Sequence, residues 1–310
     1  LRGRTLTFRR WPESLDDTAA YAYEEDGAVL IRGGRILAAG PFADIRAKAG
    51  EGVRTVDHRP NLILPGFIDC HAHYPQVEVI ASYGAELLDW LNRYTFPAEA
   101  KFVDAQHARR MARLFLDELI RHGTTSVAAY CSVHRQSAEA FFAEAASRDM
   151  LTVAGKVMMD RNAPAAVCDT PQSAYDDTRA LIAEWHGRGR QHYAITPRFA
   201  ITSSPGQMEM AGALCRAFPD LHVQTHLSEN HAEIAFTREL YPWARDYTDV
   251  YEHYGLLGPR ALFGHCIHLS EREADALSQS GSVAVFCPTS NLFLGSGLFD
   301  YQRYRRRGHP

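Results

Sequence analysis

Two histidines lie two residues apart in Pro65-Gly66-Phe67-Ile68-Asp69-Cys70-His71-Ala72-His73. An apolar run, Leu62-Ile63-Leu64, leads into the motif and a polar loop follows, so the stretch reads as a buried strand that ends in His71 and His73. Alternate side chains on a strand share a face, which sets the two imidazoles side by side with Asp69 on the same face. Neutral imidazole is the commonest protein metal ligand and suits zinc well. A metal held there would activate water. The spacing alone is weak evidence, because the chain has 15 histidines and unrelated His-x-His pairs occur.

Two later stretches strengthen it. In Leu221-His222-Val223-Gln224-Thr225-His226-Leu227-Ser228-Glu229, the residues Leu221, Val223, Thr225 and Leu227 share one face, suited to helix packing. His222, Gln224 and His226 share the other. Glu229 follows at the strand's end, where a carboxylate can move the protons of an activated water. Read structurally, it is the first-turn acid of the next helix. Ala261-Leu262-Phe263-Gly264-His265-Cys266-Ile267-His268 offers two more histidines, and parity does not choose between His265 and His268. Each of these histidines taken alone reads as structural. Together they place a His-x-His pair and two single histidines near the ends of three strands, which points to one metal-centred site.

The elements that must carry these residues alternate. Residues 1–62 read as a small β domain: Ala28-Val29-Leu30-Ile31 and Ile36-Leu37-Ala38-Ala39-Gly40 flank a glycine turn, and Val53 to Val56 could add a strand. From residue 62 onward, strand candidates begin at Leu62, Thr124, Leu151, His192, Leu221, Ala261 and Ser282, mostly separated by amphipathic helices. Met111, Leu114, Phe115 and Leu119 form an apolar helical stripe, and Ser270-Glu271-Arg272-Glu273 is a capping box. Repeated strand–helix units imply a parallel sheet. In a barrel, chemistry lies at the C-terminal strand ends, where these polar residues fall. A doubly wound sheet ranks second, since no Gly-x-Gly-x-x-Gly follows an early strand. The expected fold is α/β: a TIM-like (β/α)8 barrel over residues 63–310, incomplete with about seven strands and so with two unpaired edges.

Composition excludes some classes of partner. The 310 residues are 46% hydrophobic and 23% charged, with a formal net charge of −4, which gives no global attraction to nucleic acid or anionic membrane. No stretch approaches the roughly 20 apolar residues of a membrane span, and Leu1-Arg2-Gly3-Arg4 is not the start of an apolar signal core. The six cysteines include no Cys-x-x-Cys, as expected of reduced thiols in a cytoplasmic protein. The basic run from Arg303 to Arg307, broken by Tyr304, reads as a solvated segment.

On these motifs the chain resembles the metal-dependent amidohydrolase superfamily. Pro65–His73 looks like its first metal motif, and Thr225-His226-Leu227-Ser228-Glu229 and Gly264-His265-Cys266 look like later ones. Three further stretches resemble the guanine deaminases within it. They are Leu87-Leu88-Asp89-Trp90-Leu91-Asn92-Arg93-Tyr94-Thr95-Phe96-Pro97-Ala98-Glu99, Thr196-Pro197-Arg198-Phe199-Ala200, and Cys287-Pro288-Thr289-Ser290-Asn291-Leu292-Phe293-Leu294-Gly295-Ser296-Gly297. The resemblance implies that His71, His73 and His226 bind one zinc ion, zinc rather than iron. It makes Glu229 the proton shuttle and gives His265 the task of steadying the tetrahedral intermediate. Gln76, Arg198 and Phe199 would hold the purine. Arg198 can donate a fork of hydrogen bonds, and Phe199 with the aromatics near Trp90 can pack on the ring. Outside the resemblance, the aromatics read as core and Arg198 as a surface ion pair.

The activity implied is hydrolysis of guanine to xanthine and ammonia by zinc-generated hydroxide, in a cytoplasmic homodimer. The family pattern adds an aspartate after an eighth strand, and Pro310 precedes any match, so a fragment of a longer enzyme is expected. The competing readings are a related aminohydrolase or chlorohydrolase acting on another aminated ring, and an inactive truncated homologue. His231-Ala232-Glu233 fits the His-x-Glu of a different zinc-deaminase class, but its Pro-Cys-x-x-Cys partner is missing. These residues read as polar positions in the helix after the strand that begins at Leu221.

Overall fold

The computed structural model describes residues 1–14, 16–84 and 86–308. Two compact units divide the chain, Leu1–Phe67 and Ile68–Pro310. The first contains β1 (Arg2–Phe8), β2 (Tyr21–Arg32), β3 (Arg35–Pro41), α1 (Phe42–Ala49) and β4 (Asp57–Ile63), with sheet order β3-β2-β1-β4. β2 and β3 form the expected hairpin, pairing Ala28 with Gly40 and Leu30 with Ala38. Its two-residue turn needs positive φ at both positions, which Gly33 (57°) and Gly34 (73°) supply. The strand expected at Val53–Val56 falls instead at Asp57–Ile63, parallel to β1. Leu62 and Ile63 therefore close a strand of this sheet and do not open the next one. Pro65, which has no N–H to give a ladder, and Gly66 interrupt the run.

The second unit begins with β5 (Phe67–His73). Next come the short helices α2 (Leu87–Trp90) and α3 (Phe96–Ala100), joined through one wider turn at Leu91–Thr95, then α4 (Ala105–Arg121). β6 (Thr124–Tyr130), α5 (Arg135–Ser147), β7 (Leu151–Gly155) and β8 (Val157–Met158) lead to α6 (Pro171–Trp185) and β9 (Gln191–Pro197). α7 (Pro205–Ala217), β10 (His222–Leu227), α8 (His231–Leu240) and α9 (Tyr247–His253) follow. The unit ends with β11 (Ala261–His265), α10 (Glu271–Ser280), β12 (Val283–Val285), α11 (Pro288–Phe293) and α12 (Tyr301–Arg306).

Seven of these strands run in the order β12-β11-β10-β9-β7-β6-β5, with β8 paired to β9 beside the path. The pairing is parallel, and helical crossovers connect the strands as parallel pairing requires. The result is a nearly closed seven-stranded parallel barrel in this unit, with the small sheet a separate element of the first, the α/β architecture expected. Its core packs Phe115 and Leu116 of α4 with Phe141 and Phe142 of α5 and Trp185 of α6. α4 turns Ala108, Ala112, Phe115 and Leu116 inward with Met111 and Leu119 packed against the same core, so the expected stripe holds except at Leu114, which is exposed. The capping box at Ser270 and Glu273 is present.

Two local expectations change. β5 starts exposed, with Phe67 at 57% and Ile68 at 70%, because it ends the sheet path. The basic run is docked: Arg303 donates to the Leu269 carbonyl at 2.7 Å and pairs with Glu271, and Arg307 pairs with Asp275 at 2.9 Å. Between them Tyr304 is buried and stacks on Phe299, ring centroids 4.5 Å apart. His309 and Pro310 lie outside the described residues. The six cysteines are free, Cys131, Cys266 and Cys287 buried and Cys70 exposed. No helix among the described residues is long and apolar enough to cross a membrane.

Candidate active site

The C-terminal ends of β5, β9, β10 and β11 surround one cavity of about 210 Å³, sized for a small molecule. All eight side chains picked from sequence line it: His71, His73, Gln76, Arg198, Phe199, His226, Glu229 and His265. Trp90, Leu91 and Leu294 add apolar wall. Of the two histidines parity left open, His265 faces the cavity. His268 turns aside, its Nε2 2.8 Å from the Ser296 carbonyl and its ring 3.9 Å from that of His231.

Each imidazole is set by a neighbour. Asp69 accepts from the His71 N–H at 3.0 Å and so fixes the strand end. Gly264 makes room for the His71 ring, since a Cβ there would lie 2.5 Å from its Cε1. His73 stacks on Tyr130 of β6 at 4.4 Å. His226 Nδ1 lies 2.7 Å from the Arg198 carbonyl, which can only accept, so the proton sits on Nδ1 and the Nε2 lone pair is free. That Nε2 is 3.0 Å from His73 Nε2, and His73 Nδ1 is buried without a partner.

Burial, reinforced by neighbouring imidazoles, His265 among them in each case, and by Arg198, holds His71, His73 and His226 well below their usual pKa. They are neutral, as metal ligation demands. The ligand atoms of His71, His73 and His226 lie within 4.8 Å of one another, and these residues fit a divalent zinc-like ion. His71, His265 and Cys287 form an overlapping group. It fits less well, because burial pushes the Cys287 thiol up to about 12, away from the thiolate a metal requires.

Glu229 is 3% exposed, and burial pushes its carboxyl up to about 7, with opposing pulls from the Ser296 hydroxyl and Arg198. Its Oε2 lies 3.3 Å from His265 Nε2, and Ser296 Oγ donates to Oε1 at 3.3 Å. Ser228, His265 and Cys266 have positive φ (50°, 74° and 49°), unusual for residues with side chains. Such strain gathers where a fold over-determines a functional loop. Glu233 is a buried anchor and does not face solvent as its sequence context suggested. Its Oε2 accepts from the Glu229 and Asn230 N–H groups at 2.8 and 3.1 Å, and Tyr247 donates to its Oε1 at 2.9 Å. His231, its partner in the apparent His-x-Glu motif, is exposed.

On the far side, Arg198 is 2% exposed and its Nη1 lies 2.8 Å from both oxygens of the fully buried Glu99. The ion pair read as a surface feature is therefore interior. Gln76 Nε2 also donates to Glu99 Oε1, at 3.3 Å. Glu99, Asn291 and Ser296 were within recognised motifs but carried no role, because pairings across 99, 26 and 67 residues have no local signal.

A family model described as "Amidohydrolase family" matches residues 62–308, and one described as "Imidazolonepropionase-like composite domain, bacteria" matches residues 27–51. A guanine deaminase of Escherichia coli K12 is 46% identical over 98% of this chain and 69% of its own length. That of Dictyostelium discoideum is 35% identical over 80% of this chain, which spans 56% of that relative's length. The crystal structure of a guanine deaminase from C. acetobutylicum, with guanine bound in its active site, superposes with a TM-score of 0.90. It is 32% identical, with coverage of 99% of this chain and 71% of that one. The matched barrel, its strand-end histidines and these relatives agree: the chain belongs to the amidohydrolase family.

Proposed function

We propose that this chain carries the hydrolytic deamination of guanine to xanthine and ammonia. One observation carries the reading. A carboxyl that burial keeps protonated to about pH 7, that of Glu229, faces the same cavity as three neutral histidines and a buried arginine. The guanine held by the C. acetobutylicum relative adds support for the ring.

A zinc ion held by His71, His73 and His226 would lower the pKa of water from 15.7 toward about 7 and so supply hydroxide at neutral pH. Glu229 donates its proton to the ring nitrogen beside the carbon that bears the exocyclic amine, which makes that carbon electrophilic. Hydroxide adds there, and His265, 3.3 Å from Glu229, steadies the oxygen of the tetrahedral carbon. Glu229, now a carboxylate, takes the proton from the added hydroxyl and passes it to the amine; the C–N bond breaks as the carbonyl forms, and ammonia leaves. Arg198 and Gln76 hold the ring edge and Phe199 its face.

Guanine, adenine, cytosine, a pterin and a triazine offered to the zinc-loaded, full-length protein test this. Xanthine and ammonia in equal amounts from guanine, with little turnover of the others, is the expected result. Preference for another ring overturns the guanine assignment. The resemblance also implies a cytoplasmic homodimer, which sedimentation and cell fractionation would check.

A further inference from the structure

Glu99 takes no part in the proton transfers above, yet it stands directly behind two residues that line the cavity, Arg198 and Gln76. It is 0% exposed, sits in α3 after the wider turn at Leu91–Thr95, and touches both polar side chains assigned to the ring edge. We propose that Glu99 is the positioning residue that fixes the hydrogen-bond polarity of the cavity and thereby selects an oxopurine over an aminopurine. This rests on the functional reading of Arg198 and Gln76 given above.

The argument starts from what each group can donate or accept. A carboxylate only accepts, so the Gln76 amide must turn its NH₂ toward Glu99, as the 3.3 Å Nε2–Oε1 contact shows. Gln76 Oε1 is then the free end of an amide that lines the cavity, and it is an acceptor. Arg198 has only donors. Both its contacts to Glu99, at 2.8 Å, fall on Nη1, which leaves Nε and Nη2 for a ligand. Phe96 supports the guanidinium, with Cζ 5.5 Å from its ring centroid.

One carboxylate thus imposes a fixed acceptor and fixed donors on the same pocket. A ring edge with an N–H beside a carbonyl complements both. A ring edge with an amino group beside a bare nitrogen reverses both. An amide at position 99 would relax the code, because it can donate as well as accept and no longer dictates which end of Gln76 faces the ligand. It would also remove the countercharge of a buried guanidinium.

Guanine and 2,6-diaminopurine carry the same 2-amino leaving group and differ at position 6, so their kcat/KM ratio reads this polarity directly. In full-length Glu99→Gln the ratio should fall by about tenfold or more, chiefly through a higher KM for guanine, with metal content unchanged. Glu99→Asp keeps an acceptor-only group but withdraws it by one methylene, and an intermediate ratio is expected. It carries the test if Glu99→Gln does not fold. A purely structural role would lower kcat/KM for both substrates equally; an unchanged ratio in the folded variants overturns the proposal. A wild-type protein that does not turn over guanine overturns the functional reading beneath it instead.

Discussion

Glu229 and His265 meet inside the barrel, Oε2 to Nε2 at 3.3 Å, with both side chains 3% exposed. Their proximity suggests an ion pair, but the surroundings argue for a neutral one. Burial pushes Glu229 up to about 7 and pushes His265 down, and in each case burial is the leading cause. One segment grips the pair from behind. Asn291 Oδ1 is 2.8 Å from His265 Nδ1, Ser296 Oγ is 3.3 Å from Glu229 Oε1, and the Ser296 N–H donates to the Asn291 carbonyl at 2.8 Å.

Glu229→Gln is expected to keep the bound metal and lose about 10²- to 10⁴-fold in kcat, since it preserves shape and removes the proton. The wild-type rate should also fall as pH rises through about 7, because the protonated acid is lost there. Ser296→Ala removes a hydrogen bond that favours the carboxylate, so its alkaline limb should move to higher pH. A pH–rate profile that is flat across 6–8, or a Gln variant near wild-type kcat, removes Glu229 from the shuttle role.

His71→Ala and His226→Ala are expected to lose zinc outright. Gly264→Ala reaches the same centre indirectly, because its Cβ would stand 2.5 Å from His71 Cε1 and displace the ring. Metal affinity about 10- to 100-fold weaker, with an unchanged far-ultraviolet spectrum, is the expected outcome by analogy with lost orienting contacts. Metal analysis after dialysis decides it; full zinc in the glycine variant would mean that His71 is not held where the cavity requires.

The barrel was legible because strand–helix alternation repeats over more than two hundred residues and each apolar run carries its own signal. The metal-type histidines were legible because His71 and His73 share one strand and His226 shares a face with Gln224. What stayed hidden was long-range or depended on small offsets. Glu99 meets Arg198 only after the chain closes into a barrel. Leu62 and Ile63 look like the start of a barrel strand but belong to β4, since an apolar run does not say which sheet it joins. The arginines at 303 and 307 looked solvated because Glu271 and Asp275, their partners, lie about thirty residues upstream.

Lys156 and Asp169 form a second buried ion pair, 1% and 8% exposed in their side chains, with Gln207 Nε2 also donating to Asp169 at 2.8 Å. Lys156→Met should destabilise by about 3–5 kcal/mol, because it strands a buried carboxylate. Adding Asp169→Leu should recover much of that loss. Urea denaturation of the two variants checks the order, and a double variant no more stable than the single would refute the pairing argument.

The opposite end of the barrel sets a pH limit on the fold. His222 opens β10, four residues before His226, and its Nδ1 is buried without a partner. Burial first, then the nearby charges of Arg260, His192 and His186, push its pKa down to about 4. The free side chain titrates near 6.5. Above that pH both folded and unfolded chains hold it neutral, and it adds no pH dependence. Below it the unfolded chain takes up a proton that the folded chain refuses, so stability is lost progressively as pH falls from about 6.5 to 4. Because the ring is only partly buried, solvent screening reduces the effect to on the order of 1 kcal/mol, which is a few degrees in Tm at most for a chain of this size. His222→Gln should therefore gain on the wild type in Tm at pH 5 relative to pH 7.5. Parallel Tm curves for the two proteins across that range would show that His222 titrates freely in the folded state.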